Sequence, residues 1–340
     1  MDDLELELKR IELSLEREEF DSALSSLEEL KTRFPDYRDS SLAYLVAFYN
    51  AQAIFRKEMQ ATPDPKRLIK AKELFEDSIA LGNAFAPSHY LEALLSMALS
   101  KYSDSVYFNL DAKYHLETAL SIDPKFDSES KSKLALANHR LKDIFDITLC
   151  SNKEEMVSEW KSEFKRFPWI SIVYGDILKQ KADAIVSPAN SFGFMDGGLD
   201  YYLSKYFGSG LQERLQKTIR KEYDGELLVG QAVVLETGNK SFPYLVSAPT
   251  MRVPMDISGT INPYLAALAA FTAVEKFNSD SKRINSILVP GMGTGVGKVP
   301  FDIAARQMRT AYEHAVLKRK AFPESIGDSM DMQNYLLKKS

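Results

Sequence analysis

Fifteen of the sixteen glycines lie beyond residue 144, and only Gly82 precedes it. Glycine serves tight turns and close backbone approach, so a stretch almost without it offers little for strands and loops to be built from. Valine has the same asymmetry: Val46 and Val106 are the two that precede residue 144, and β-branched residues favour strands. The chain therefore reads as an all-helical segment, 1–143, then a mixed α/β segment, 144–325, then a weakly periodic tail, 326–340. Charge divides at the same place, with 26 acidic and 19 basic side chains before it and 22 and 24 after it.

Several classes are set aside. A length of 340 residues fits two domains at about 150 residues each. The apolar stretch Tyr264–Val274 is far shorter than the roughly 18 residues of a membrane span, and the acidic N-terminus is unlike a secretory signal. Cys150, the single cysteine, can form neither an internal disulfide nor a cysteine-rich zinc site. A net charge of −5 argues against general nucleic-acid binding, which calls for a basic surface. The expectation is a cytoplasmic protein without a membrane partner, metal or cofactor.

Three helical segments align, starting at Ala23, Ala71 and Ala112. Each has an apolar residue four positions on (Leu27, Phe75, Leu116) and a carboxylate five on (Glu28, Glu76, Glu117). That spacing puts the small and apolar members on one helix face. Two of the segments end at a proline stop, Arg33-Phe-Pro-Asp and Asp123-Pro-Lys-Phe. The pattern resembles degenerate tetratricopeptide (TPR) repeats, at intervals of 48 and 41 residues instead of about 34. Two readings stay open: a groove for a peptide or partner domain, or a helical cap or self-association arm.

The second segment alternates strands and helices. Candidate strands are 145–149, 170–174, 184–187, 231–237, 244–247 and 286–289. Candidate helices are 154–167, 200–207, 210–222, 262–277 and 300–317. Such alternation predicts a largely parallel sheet covered on both faces, with ligands at the carboxyl ends of its strands. Four strand exits stand out: Tyr174-Gly-Asp176-Ile177; Asn190 through Asp200; Ala248-Pro-Thr-Met-Arg252; and Gly291-Met292-Gly293-Thr294-Gly295-Val296-Gly297. The last has glycines at alternate positions before a helix start, which suits an anion cradle of main-chain N–H groups. It lacks the Lys-Ser/Thr of a Walker A loop, and a structural turn is an equal reading of it alone. Asp176 reads equally as a turn former, and Asp200 as a helix N-cap.

Together these loops resemble the macro domain, an ADP-ribose-binding α/β fold. Gly175-Asp176-Ile177 resembles the family's opening motif, and Ala182-Asp-Ala-Ile-Val-Ser-Pro-Ala-Asn190 resembles its Asn-bearing strand and loop. Gly197-Gly198-Leu-Asp200 resembles its Gly-Gly-Val-Asp, Gly208 falls where its next helix ends, and Gly291–Gly297 resembles its diphosphate loop. The resemblance implies binding of ADP-ribose or a related NAD-derived nucleotide. It places adenine at Asp176, beside Ile177, and the distal ribose at Asn190. Gly197, Gly198 and Asp200 are further binding candidates, and Asp196, where the sequence departs from the family, is a candidate acceptor for the distal ribose hydroxyls. The diphosphate falls at Gly291, Met292, Gly293, Thr294, Gly295, Val296 and Gly297.

Many relatives are mono-ADP-ribosyl hydrolases acting on protein, nucleic acid or O-acetyl-ADP-ribose, which would make Asn190 and Asp200 catalytic here. This sequence departs from theirs: Met195 and Asp196 interrupt a glycine run, Ser187-Pro188 replaces Asn-Ala, and Tyr201 replaces a small residue. Those changes favour a reader of a free nucleotide over a hydrolase, with hydrolysis the alternative. A third reading is a sensor that couples the nucleotide to a partner of the helical segment. Phe192, Phe194 and Phe301 are candidates for ring contact, with plain core as the commoner role. Arg252 either meets the ligand or pins its loop. His89, His115, His139 and His314 have no zinc-ligand spacing, Cys150 reads as core, and the tail either wraps back or moves freely.

Overall fold

The computed structural model describes residues 3–82, 84–124, 127–142, 144–208, 210–279, 283–320 and 322–338. The chain divides into two compact units, Met1–Lys142 and Asp143–Ser340. No helix among the described residues is long and apolar enough to cross a membrane.

The first unit is helical: α1 (Asp3–Glu16), α2 (Phe20–Arg33), α3 (Ala43–Met59), α4 (Pro65–Leu81), α5 (Ala86–Leu99), α6 (Ser105–Ile122) and α7 (Asp127–Arg140), each packed on its neighbours in sequence. The aligned segments fall on alternate helices, α2, α4 and α6. Their small residues Ala23, Ala71 and Ala112 and apolar residues Leu27, Phe75 and Leu116 are all fully buried. The aligned carboxylates are exposed. Helix α4 starts on Asp64, whose side chain accepts from the Lys66 N–H at 2.9 Å, with Pro65 at the first helical position. It ends at Gly82, where a Cβ would sit 2.8 Å from Cγ of Tyr44. Ring packing is thus the reason for the lone glycine of this unit.

The second unit has six strands, β1 (Asp146–Ser151), β2 (Ser171–Tyr174), β3 (Ala184–Ser187), β4 (Val233–Glu236), β5 (Tyr244–Ser247) and β6 (Ser286–Val289), in the order β2-β1-β6-β3-β5-β4. All neighbours pair in parallel except β4 with β5. Residues 237–243 join those two, a connection too short for a parallel crossover. The side chains of Thr237 and Asn239 tie that turn to its own main chain. The sheet is thus mixed and mostly parallel.

The helices are α8 (Glu154–Glu163), α9 (Gly198–Phe207), α10 (Gly210–Glu222), α11 (Asn262–Asn278), α12 (Phe301–Ala315) and α13 (Ile326–Leu337). Strand alternation assigns the faces. Cys150, Ile185, Leu245 and Leu288 share a core with Leu203 of α9 and Leu211, Leu215 and Ile219 of α10. Leu149, Val186, Val246 and Ile287 alternate with them and are fully buried. The sheet also packs against α8 and α11, which α12 touches. Helix α8 stops four residues before the expected 167, because Phe164 leaves helical geometry ahead of Pro168. The tail does not hang free. Helix α13 is closed by a Ser325–Asp328 capping box, buries Leu336, and offers the Leu336 carbonyl to Gln307 Nε2 at 3.1 Å.

Candidate functional site

A cleft of about 590 Å³ opens at the carboxyl ends of the strands, within the usual size of a small-molecule site. It is lined by the exits of β1, β2, β3, β5 and β6. Strand order explains the convergence: β1 and β6 are neighbours, as are β6 and β3, so loops distant in sequence rise side by side. Of the expected ligand-binding residues, Asp176, Ile177, Asn190, Asp196, Gly197, Gly198, Asp200, Gly291, Gly293, Thr294, Gly295, Val296 and Gly297 border this one cleft.

Met292 does not. Its side chain is fully buried, so the loop presents the main chain of the neighbouring glycines there. Met195 is also buried, within the core beside Leu211 and Leu215. It therefore does not narrow the cleft, whereas Asp196 is exposed on its wall. Tyr201 points elsewhere, under Lys205, and Tyr202 borders the cleft instead. One residue along a helix turns a side chain by about 100°, which accounts for the exchange.

Asp200 is not an N-cap. Gly197 occupies that position, and Asp200 sits inside the first turn of α9, only 6% exposed. Its carboxylate accepts a hydrogen bond from the Ser187 hydroxyl at the end of β3. Burial pushes Asp200 up to about 6, and the Ser187 bond opposes part of that rise. Asp176 does form a turn, its Oδ1 accepting from the Leu178 N–H at 2.9 Å, while also bordering the cleft. Asn190 is engaged by its own loop: Nδ2 donates to the Phe194 carbonyl at 2.7 Å, and Oδ1 accepts from the N–H groups of Phe192 and Phe194 at 3.1 and 3.2 Å. Its first task is to shape the 190–194 turn.

Phe194 and Phe301 border the cleft, but Phe192 does not. Phe192 lies under the Arg252 guanidinium, 5.0 Å from ring centre to Cζ. Arg252 also forms a two-pronged ion pair with Glu226, at 2.7 and 3.1 Å. It thereby ties its loop to Glu226, and it does not border the cleft in this structure. The β1 exit, Cys150 to Lys153, also borders the cleft and was not singled out from sequence. The strand-exit rule alone would have found it, because a strand there precedes a helix.

The glycine loop divides its labour. A Cβ on Gly297 would sit 2.6 Å from both the Gly293 carbonyl oxygen and Ile257 Cγ1, whereas one on Gly295 would meet open space. Gly293 has φ +70°, a left-handed geometry that glycine adopts without strain. Gly297→Ala should therefore destabilise the second unit by about 1–3 kcal/mol through overpacking, and Gly295→Ala should leave it unchanged. Urea denaturation of both variants checks this, and equal midpoints would refute it.

Histidines in the helical unit do meet. The Nδ1 atoms of His89 and His115 lie 2.8 Å apart, and His115 joins Glu92 and Asp111 in a buried donor cluster. The Lys72 ammonium lies within that cluster, bonded to Glu92 and, at 2.8 Å, to Asp111.

A profile of the Macro domain family matches residues 186–308. A macro domain-containing protein of Caldanaerobacter subterraneus subsp. tengcongensis is 32% identical over 40% of this chain and 75% of its own length. An uncharacterized protein of Aquifex aeolicus is 35% identical, over 41% of this chain and 78% of that one. The chain belongs to the macro domain family. Among solved structures, the macrodomain of Mycobacterium tuberculosis DarG is 20% identical, covering 42% of this chain and 88% of that chain with a TM-score of 0.36. Thermosipho africanus DarTG in complex with ADP-ribose is 15% identical, covering 56% and 57% with a TM-score of 0.35.

Proposed function

We propose that the cleft binds ADP-ribose or a related NAD-derived nucleotide, and that residues 1–143 serve partner binding or self-association. The observation that carries the first reading is the convergence of Asp176, Asn190, Asp200 and the 291–297 loop on one cleft. The ligand offers an adenine donor, ribose hydroxyls and a diphosphate. A carboxylate, an amide and a ring of main-chain N–H groups are their chemical complements. Asp176 faces adenine, the glycine loop the diphosphate, and Asp196 and Asp200 the distal ribose. Titration calorimetry of the full chain with ADP-ribose should give one site per chain, and absence of binding would remove the proposal.

Hydrolysis is the second reading, favoured by Asp200. A buried carboxylate held near neutrality is suited to taking a proton from an attacking water. Release of ADP-ribose from a mono-ADP-ribosylated protein, lost in Asp200→Ala, would establish it. No release by a protein that still binds ADP-ribose would leave the reader.

A further inference from the structure

The cleft of the second unit is uneven in charge along its length. Among the described residues that border it, Lys153 carries the one cationic side chain, against the carboxylates of Asp176, Asp196 and Asp200. A diphosphate is therefore held there by main-chain N–H groups rather than by side-chain charge. Sheet order separates the charges. Lys153 follows β1 and Asp176 follows its neighbour β2, whereas Asp196 and Asp200 follow β3, on the far side of β6. Asp196 is exposed and forms no ion pair with a described residue. Asp200, which burial raises to about 6, is ionised above pH 7. The N-terminus of α9 offsets these two carboxylates by only about half a unit of positive charge.

The same end carries aromatic surface. Phe194 is 51% exposed and Tyr202 60%, and both border the cleft. Their places are set locally: Asn190 Nδ2 donates to the Phe194 carbonyl at 2.7 Å, and Tyr202 lies one helical turn beyond Gly198, on the face of α9 that borders the cleft. A ribose that ends in a hydroxyl gives two exposed rings little apolar surface to cover. Carboxylates beside aromatic faces are together the complement of a planar aromatic cation. Such a group stacks on the rings, and both the ring faces and the carboxylates attract its charge.

We infer that the nucleotide selected by this cleft carries a planar aromatic cation on its distal ribose, as NAD+ does, and that Asp196 and Tyr202 set the preference. The pyridinium ring stacks against Tyr202 and Phe194 beside the Asp196 carboxylate. The inference rests on the nucleotide-binding reading of the cleft and narrows its ligand to the oxidised dinucleotide over ADP-ribose, which ends at the ribose.

Calorimetry of the full chain above pH 7 with NAD+, NADH and ADP-ribose tests it. NADH has the outline of the oxidised dinucleotide without the ring charge. NAD+ is expected to bind about tenfold tighter than either of the others. Asp196→Asn should bring NAD+ to the level of NADH, because the amide keeps an acceptor and loses the charge. Tyr202→Ala should weaken NAD+ about tenfold and ADP-ribose less. Both side chains are exposed, so the circular dichroism melt should stay unchanged. ADP-ribose binding as tightly as NAD+, or NADH matching NAD+, overturns the inference and leaves the nucleotide-binding reading in place. Binding of none of the three removes that reading, and the inference with it. A peptide ADP-ribosylated on arginine presents a planar guanidinium on the same ribose carbon. Tighter binding of that peptide than of NAD+ would assign the cation to a protein side chain and overturn the NAD+ assignment.

Discussion

Lys72→Ala is expected to destabilise the helical unit by about 3–5 kcal/mol, the usual cost of removing one partner from a buried ion pair. The Lys72 ammonium bonds to Glu92, to Asp111 at 2.8 Å and to Glu76 at 3.1 Å. Burial opposes its charge, but the fields of Glu92 and Asp111 outweigh that and hold it above the ordinary lysine range. Burial pushes Glu92 up to about 8, against the pull of Lys72. Lys72 and Asp111 are thus an ion pair at neutral pH, while burial favours the protonated form of Glu92 beside them. Ser96 donates to Asp111 at 2.6 Å and completes its shell. Urea denaturation followed at the helix signal measures the loss, and a cost below 1 kcal/mol would show that water reaches the cluster.

The same cluster gives a pH dependence. The folded-state value for Glu92 is raised from 4.5 to about 8, so its contribution is complete below 4.5 and lost as pH rises through 8. Burial lowers His115 from 6.5 to about 3, and its unfavourable contribution develops as pH falls below 6.5. Glu92 thus acts without His115 between pH 6.5 and 8. Stability of the helical unit should decline there by about 2 kcal/mol, at roughly 1.4 kcal/mol per unit, and Glu92→Gln should flatten the slope.

At the cleft, affinity for ADP-ribose is expected to rise about tenfold between pH 5 and 7, as one carboxylate ionises near 6. The group is Asp200, raised from 3.8 to about 6 by burial. Its ionised form accepts hydrogen bonds from ribose hydroxyls and its acid form does so more weakly. Asp200→Asn should abolish the pH dependence. Ser187→Ala should move the midpoint upward, because the lost hydrogen bond favours the carboxylate. Calorimetry across this range is decisive, and a flat profile in the unmodified protein would remove Asp200 from ligand contact.

Much of the fold is legible in the sequence. Strands 184–187, 244–247 and 286–289 and helix 210–222 fall on the residues that their patterns indicated. Apolar runs bounded by turn residues are local signals, and short buried strands carry them strongly. The Ala23, Ala71 and Ala112 alignment was legible for the same reason, since burial repeats with the helical period. Direction along an element was less so. Met195 and Tyr201 depart from the hydrolytic relatives beside Asp200, yet Met195 packs into the core and Tyr202 takes the wall of the cleft. Loop residues have no fixed period, so their facing depends on what packs beneath them.

The sequence by itself determined the division into a helical and an α/β part, three helices of the first, the alternating strands and helices of the second, and the loops rich in polar and glycine residues at strand ends. These follow from local sterics and periodic burial, which neighbouring residues set. Only the tertiary structure decided that Ser187 bonds Asp200, that Arg252 pairs with Glu226, and that Lys72 is enclosed by Glu92 and Asp111. Each joins residues far apart along the chain through packing. A charge on a sequence has no dielectric surroundings until the fold supplies them, and those surroundings decide whether it titrates, pairs or binds.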